Sequence, residues 1–316
     1  MRFGTVKSTS TGLPGLLVLL ALLLISAPAS AADPFRVATF NIHYITDPDG
    51  LPKWEARRGA VTAVLKEMDA DIIGFQEMET FAGSKFNPVN RQRDWILKTV
   101  PGYLVAAIGD PAKFPSTQPV FYRKDRFEVL DHGWFFYSET PDVIYSRSFD
   151  GGFDYYTVTA QFRDRQSGQT LTVFNVHTDI RSISNRKRAI EMIAARAQKL
   201  VNAGEPVLVF GDFNALWFGS NMKRLESAGL AGTRLARPTF HFGIGAGVTP
   251  AIDHILHAPG LSRISEATIH KTRANGAYPS DHFPVSALYR FEWWLAHVSC
   301  VEIHAICPVF PTNRFA

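Results

Sequence analysis

The stretch PVLVFGDFN, residues 206–214, decides how this chain is read. Val207, Leu208, Val209 and Phe210 form a short apolar run bounded by Gly204 and Gly211, the pattern of a buried strand. Asp212 and Asn214 follow at once, where such a strand should meet a plain turn. Immediately upstream, residues 186–202 carry Ile190, Ile193, Ala194, Ala197, Leu200 and Val201 on one stripe, which predicts an amphipathic helix. Further upstream, residues 157–162 and 171–176 read as a hairpin joined around Gly168.

The pattern extends toward both ends. FRVATFNI, residues 35–42, alternates as a strand does, and residues 54–68 place Val61, Val64, Leu65 and Met68 at helical spacing. Residues 72–75 are a short apolar run that ends in Gln76-Glu77. Residues 120–122, 127–130, 252–256 and 284–289 read as further strands. Strands dominate, no Gly/Ser linker divides them, and no short tandem repeat occurs, so one α+β domain spans about residues 33–291.

Composition excludes several classes. The chain has 316 residues, 46% hydrophobic and 12% aromatic, which rules out a disordered or fibrous protein. Cys300 and Cys307 are the only cysteines, which excludes a disulfide scaffold and a cysteine-rich metal site. Thirty-three bases against 29 acids leave +4, too little to argue by itself for a polyanion partner.

The two ends read differently from the middle. Arg2 and Lys7 precede the apolar core GLLVLLALLLI, residues 15–25, and the small-residue run SAPASAA, residues 26–32. That order predicts a cleaved signal peptide over residues 1–32 and a secreted or periplasmic protein, the alternative being an N-terminal anchor that is never cleaved. Residues 292–316 hold Trp293, Trp294, both cysteines and a Pro-rich finish, an atypical tail whose composition does not continue what precedes it.

Between these ends, the strand termini carry chemistry. Asn41 closes the first strand and Glu77 follows the second. Asn175, His177 and Asp179 recur at period two, which turns them to one side of a strand. Asp212 and Asn214 follow the 207–210 run, Asp253 opens one late segment, and Asp281-His282 open the last. Each alone has a local explanation, because Asp and Asn are common turn formers. Six such termini in one domain point to a carboxylate-rich pocket. Carboxylate, amide and imidazole donors without thiolate favour Mg²⁺, or Mn²⁺ or Ca²⁺. The chain has no H-E-x-x-H motif, no P-loop and no G-x-S-x-G elbow. A hard cation beside histidines suits hydrolysis at phosphorus.

Taken in order, T-F-N-I (39–42), Q-E (76–77), N-V-H-T-D (175–179), G-D-F-N (211–214), I-D-H-I (252–255) and S-D-H-F-P-V (280–285) resemble the endonuclease/exonuclease/phosphatase superfamily. F-Y-S-E-T-P (136–141) and T-F-H (239–241) resemble a secreted bacterial branch of metal-dependent hydrolases within it. The resemblance covers nearly all of residues 35–291. It implies a four-layer α/β/β/α sandwich of two packed mixed β-sheets flanked by helices. It also implies roles. Glu77 binds the metal with Asn41 and Asp281 close by. Asp212 activates water and Asn214 orients it or holds the phosphate. His282 contacts the phosphate with its ring fixed by Asp253, and His177 stabilises charge on the opposite side. A histidine needs a partner on its second nitrogen to fix its tautomer, which independently fits Asp253 with His282.

Two places depart from the family's pattern: Pro250-Ala251 stand before Ile252 where a basic residue is common, and FDGGFDYY (149–156) lacks a Pro-Arg. Both bear on the substrate rather than on hydrolysis. The expected partner is a phosphate ester handled by a monomer with no stable protein partner. Nucleic acid is slightly favoured on Lys85, Arg91, Arg93, Arg123, Lys124, Arg126, Arg181, Arg186, Lys187 and Arg188. The alternatives are a small-molecule or lipid phosphodiesterase, for which only the aromatic run 134–137 speaks, and a non-catalytic binding module. An exported structural or adhesion protein would have no need of these polar termini. His241, His254 and His257 are expected to be supporting or surface residues.

Overall fold

A computed structural model describes residues 33–45, 51–78, 88–247 and 249–292. The expected signal peptide, Lys85 and the tail from Trp293 onward lie outside the described residues.

The strand beginning at Phe35 forms as read. In β1 (Phe35–Asn41), alternate side chains go to opposite faces: Phe35 and Val37 enter the core between the two sheets, while Ala38 and Phe40 enter an outer core. α1 (Trp54–Met68) lays Trp54, Val61, Val64, Leu65 and Met68 on that outer face and stops at Asp69, which takes a left-handed conformation at φ 41°. β2 (Ile72–Gln76), α2 (Arg91–Thr99), β3 (Tyr103–Ala106) and β4 (Val120–Arg123) follow. α2 is short and mostly polar, and buries little beyond Gln92 and Ile96, so periodicity did not show it.

β5 (Phe127–Phe136) absorbs the aromatic run: Phe135, Phe136 and Tyr137 are buried, so this stretch is core and strand. β6 (Tyr156–Asp164) and β7 (Thr170–His177) make the expected hairpin. α3 (Ile183–Asn202) starts three residues before the apolar stripe suggested, because the Ser182 hydroxyl caps it by accepting from the Asn185 N–H. β8 (Val207–Asp212) and α4 (Ser220–Ser227) come next, then the short β9 (Ala231–Gly232). β10 (Asp253–His257), β11 (Leu261–Arg263), β12 (Thr268–Ile269) and β13 (Val285–Phe291) end the domain.

The strands form two mixed sheets. One runs β11-β13-β1-β2-β4-β3, with β12 also on β13, and the other runs β5-β6-β7-β8-β10-β9. One apolar core lies between the sheets, a second under α1 and α2, a third under α3 and α4. The result is the four-layer α/β/β/α sandwich. The sheets approach closely at Gly74, where a Cβ would fall 2.1 Å from the Phe210 ring. Glycine there lets a side chain of one sheet press on the backbone of the other.

Strand direction explains why so many polar termini matter together. β1 and β2 are parallel, with Asn41 opposite Gln76. β7 and β8 are parallel, with His177 opposite Asp212. β10 runs antiparallel to β8 and starts at Asp253, opposite Asp212, while β13 runs antiparallel to β1 and starts opposite Thr39. The C-terminal ends of β1, β2, β7 and β8 and the N-terminal ends of β10 and β13 therefore share one edge.

Candidate active site

Toward that edge the space between the sheets turns from apolar to polar. The Gln76 Nε2 donates to Asn175 Oδ1 at 2.6 Å, and Asn175 Nδ2 donates to the carbonyls of Phe75 at 2.8 Å and Gln118 at 3.1 Å. Asn175 is thus a hydrogen-bonded bridge between the sheets. Asp179, read as its period-two partner, falls past the end of β7. It accepts from the backbone N–H groups of Gly152 at 2.6 Å, Arg181 at 2.7 Å and Ser182 at 3.0 Å.

One step further out, Asn41 donates through Nδ2 to Glu77 Oε1 and to Asp212 Oδ2, both at 3.1 Å, and its Oδ1 accepts from the His43 N–H. Glu77 reaches back toward Asn41 because it leaves β2 at φ 56°, and His43 and Asn214 also have left-handed backbones, at φ 62° and 44°. Such conformations cost free energy for side chains larger than glycine and gather at functional sites. Asn214 donates its backbone N–H to Asp212 Oδ1 at 2.9 Å and its amide to the Thr178 carbonyl at 2.9 Å. It orients Asp212 through the main chain.

Two histidines, one closing β7 and one just ahead of β13, meet at Asp212: His177 Nε2 and His282 Nε2 each lie 3.8 Å from its Oδ2. His177 Nε2 is also 3.7 Å from Glu77 Oε1. Asp253 Oδ2 pairs with His282 Nδ1 at 2.9 Å, which assigns the proton on Nδ1 and leaves Nε2 facing the site. Thr239 accepts from the Asp253 N–H, and the Phe240 ring lies 4.9 Å from the His282 ring, so the T-F-H segment supports this pair. His241 and His254 are fully buried: His241 accepts from the Gly245 N–H, and His254 bonds the Ala215 carbonyl. His257 packs against Tyr289.

The electrostatics follow from burial. Burial and then Asp281 push the Glu77 carboxyl up to about 7. Burial and then Asp253 push Asp212 up as well. Burial, with the nearby His282, pushes His177 down to about 3, so its ring is neutral at physiological pH. Burial also opposes charge on His282, but Asp253 and Asp212 outweigh it and hold that imidazole well above its ordinary value.

Mostly buried carboxylates that resist ionising suit a cation. Asp212, Asp253 and His282 each bring one potential ligand atom within 4.8 Å of the others, the arrangement of a metal site. This differs from the expected set of Glu77, Asn41 and Asp281. Asn41 turns its NH₂, not its oxygen, to the carboxylates, and so aligns them as a donor. Asp281 stands beside His43, at 3.7 Å, and 3.1 Å from the Ser280 hydroxyl, whose shorter hydrogen bond, at 2.7 Å, goes to the Asn41 carbonyl. Asp253 Oδ2 and His282 Nδ1 are committed to each other, but Asp253 Oδ1 is buried without a hydrogen-bond partner, and with the Asp212 carboxylate it offers oxygen to an ion. Hard oxygen donors of this kind fit Mg²⁺ or Mn²⁺.

Sequence reasoning missed Arg57. It is fully buried on α1, and its Nη atoms donate to the carbonyls of Ile42 at 2.6 Å, Pro279 at 2.7 Å, His43 at 2.9 Å and Tyr44 at 3.1 Å. It staples the chain just after Asn41 to the chain just before Ser280, and places a positive charge behind Asp281 and Glu77. A charged residue amid the helix's apolar stripe was the available signal.

A two-sheet sandwich with carboxylates, histidines and amides gathered at one edge defines a class, the phosphoester hydrolases, and the buried Asp212, Asp253 and His282 resemble a metal site. The chain belongs to the Endonuclease/Exonuclease/phosphatase family, which it matches over residues 38–282. Its fold is similar to that of a family protein from Bacteroides thetaiotaomicron, with TM-score 0.71 and 22% identity, covering 83% of this chain and 99% of that one. It is similar also to a mannosyl-6-phosphatase of the same species, with TM-score 0.69 and 23% identity, covering 80% and 99%. An uncharacterized protein of Acanthamoeba polyphaga mimivirus is 24% identical over 191 residues, 57% of this chain; the chain spans 66% of that relative's length.

Proposed function

We propose that the protein hydrolyses a phosphate ester of a compact organic alcohol with the help of a divalent cation. The observation that carries this is the Asp212 carboxylate flanked at 3.8 Å by two histidines, of which burial holds His177 toward the neutral form and Asp253 holds His282 toward the charged one. A bound Mg²⁺ or Mn²⁺ would neutralise phosphate oxygens and ease attack on phosphorus. Asp212 takes a proton from water as the water oxygen bonds to phosphorus and the ester P–O bond breaks. The His282 imidazolium and the His177 N–H hold the phosphoryl oxygens, and the alcohol oxygen departs and takes its proton from solvent.

A compact ester is favoured over nucleic acid by what the basic side chains do. Arg123 pairs with Asp69 at 2.6 Å, Arg126 with Asp164 at 3.0 Å, Arg93 with Asp94 at 2.9 Å and Arg188 with Glu191 at 3.0 Å. Arg186 donates to the carbonyls of Asp179 and Ile180. Cations engaged in this way make a poor track for a polynucleotide backbone. The leader-like N-terminus supports a secreted or periplasmic setting.

The test is hydrolysis of p-nitrophenyl phosphate and bis(p-nitrophenyl) phosphate by the purified chain with Mg²⁺, with Mn²⁺ and in excess chelator. Turnover is expected only with a cation. Full turnover in chelator, or none under any condition, would overturn the reading.

A further inference from the structure

A cavity of about 580 Å³ opens beside Glu77 and His177, and neither Asp212 nor His282 lines it. In-line displacement places the attacking and departing oxygens on opposite sides of phosphorus. If Asp212 handles the water, the departing alcohol faces this cavity. Its volume falls within the usual range for small-molecule sites, about 300–1,000 Å³. We propose that this cavity is the leaving-group subsite and that it is built for the ring of a phosphorylated monosaccharide; the inference rests on the phosphoesterase reading above.

The walls argue for that chemistry. Tyr145, Phe153 and Tyr155 supply rings, and Thr117, Asp154 and Arg181 supply polar groups. The rings that lead from the rim to the catalytic histidine meet edge to face: Phe153 and Tyr155 at 6.1 Å and 80°, Tyr155 and His177 at 4.9 Å and 84°. Neither neighbouring pair is parallel, so adjacent rings form no slot for a flat base. Single aromatic faces interleaved with hydroxyl, carboxylate and guanidinium groups suit a puckered ring with C–H faces and many hydroxyls. At the mouth, Phe153 is 54% exposed and the Arg181 guanidinium carbon stands 5.7 Å from its ring centre.

The subsite is held ready. Asp179, fully buried, ties Gly152 of one wall to Arg181 and Ser182 of the other through three backbone N–H groups. The hydroxyls of Ser182 and Ser184 donate to the Phe149 carbonyl, and Asn185 donates to the Ser148 carbonyl. Phe149 and Asp150 adopt φ 57° and 56°, which turns the loop so that Phe153 and Tyr155 face the cavity mouth.

The experiment measures binding, so that it does not depend on turnover. The full chain carrying Asp212→Asn is titrated calorimetrically, with Mg²⁺, against glucose, mannose and galactose 6-phosphates, inorganic phosphate and adenosine 5′-monophosphate. The tightest hexose phosphate should bind at least tenfold tighter than inorganic phosphate. That advantage should fall below threefold when Phe153→Ala or Arg181→Ala is added; both side chains are exposed, and an unchanged melting temperature verifies the fold. Three results would overturn the subsite: hexose phosphates no tighter than inorganic phosphate, adenosine 5′-monophosphate as tight as the best hexose phosphate, or an advantage that survives both substitutions. Chelator-sensitive hydrolysis of p-nitrophenyl phosphate without hexose selectivity would sink this inference and leave the phosphoesterase reading standing; selectivity without hydrolysis would do the reverse.

Discussion

A carboxylate 3.8 Å from two imidazole nitrogens, and held by a side-chain amide and a backbone N–H, is a base with little freedom to move. Replacing Asp212 by Asn keeps its shape but removes the proton acceptor and, because an NH₂ cannot accept, one of its two hydrogen bonds. Turnover should fall by at least ~10² while the circular dichroism spectrum is unchanged; a loss of only a few-fold would remove Asp212 from that role. Asp253 acts on the same chemistry through its charge. It helps hold His282 above its ordinary value against burial, and it helps raise Asp212. Asp253→Asn removes both influences in one direction, so both limbs of the pH profile of kcat should move to lower pH. A lower rate with an unmoved profile would mean that Asp253 only packs.

At the scale of elements, the site depends on loops that are fastened from behind. Arg57 on α1 serves four backbone carbonyls on two segments that carry site residues. Arg57→Lys keeps a charge but offers a single nitrogen, and leaving buried carbonyls unpaired costs about 1–3 kcal/mol each. The melting temperature should fall, and kcat should fall about tenfold or more with KM little changed, since the loss is of alignment. Equal kcat in a destabilised Arg57→Lys would confine the residue to stability. β8 has its own constraint. Gly211 sits at φ 148° with a would-be Cβ 1.9 Å from the Val176 carbonyl oxygen, whereas Gly168, in the β6–β7 turn, has φ 73° and open space around it. Gly211→Ala should therefore lower the denaturation midpoint far more than Gly168→Ala, whose backbone strain alone is about 1 kcal/mol.

For the whole molecule, the buried acids make stability depend on pH and on the cation. Glu77 binds its proton more tightly folded than unfolded, with a folded value of about 7 against 4.5. Such a group contributes stability that is complete below about 4.5 and is lost as pH rises through about 7. Asp212 and His282, both raised, act in the same direction. In chelator, the melting temperature should decline between pH 5 and pH 8 by the contribution of these groups. Added Mn²⁺ or Mg²⁺ should restore it, and by more at pH 8 than at pH 5, because ligands must be deprotonated to bind. An equal shift at both pH values would speak against carboxylates as the ligands.

Local pattern by itself was enough to find the main strands and the two long helices, because an apolar side chain recurs with the period of its element wherever one face must be buried. It was enough, too, to mark Asn41, Glu77, His177, Asp212, Asp253 and His282 as candidates, since polar groups at the ends of buried strands stand out against the apolar runs beside them. α2 and α4 stayed hidden because each buries only two side chains, too few to make a stripe. Arg57 stayed hidden because its partners are main-chain carbonyls, which no side-chain pattern records. Only the tertiary structure decided that Asn175 bridges the sheets while His177, two residues on, faces the site, and that Asn41 donates to the carboxylates it had been expected to join as a ligand. Period two places both residues of β7 on one face, but what that face meets changes along the strand, from the opposing sheet to the open edge. That change is a property of how two twisted sheets are stacked, set by contacts between residues as far apart as Asn41 and Asp212, and no local stretch of sequence contains it.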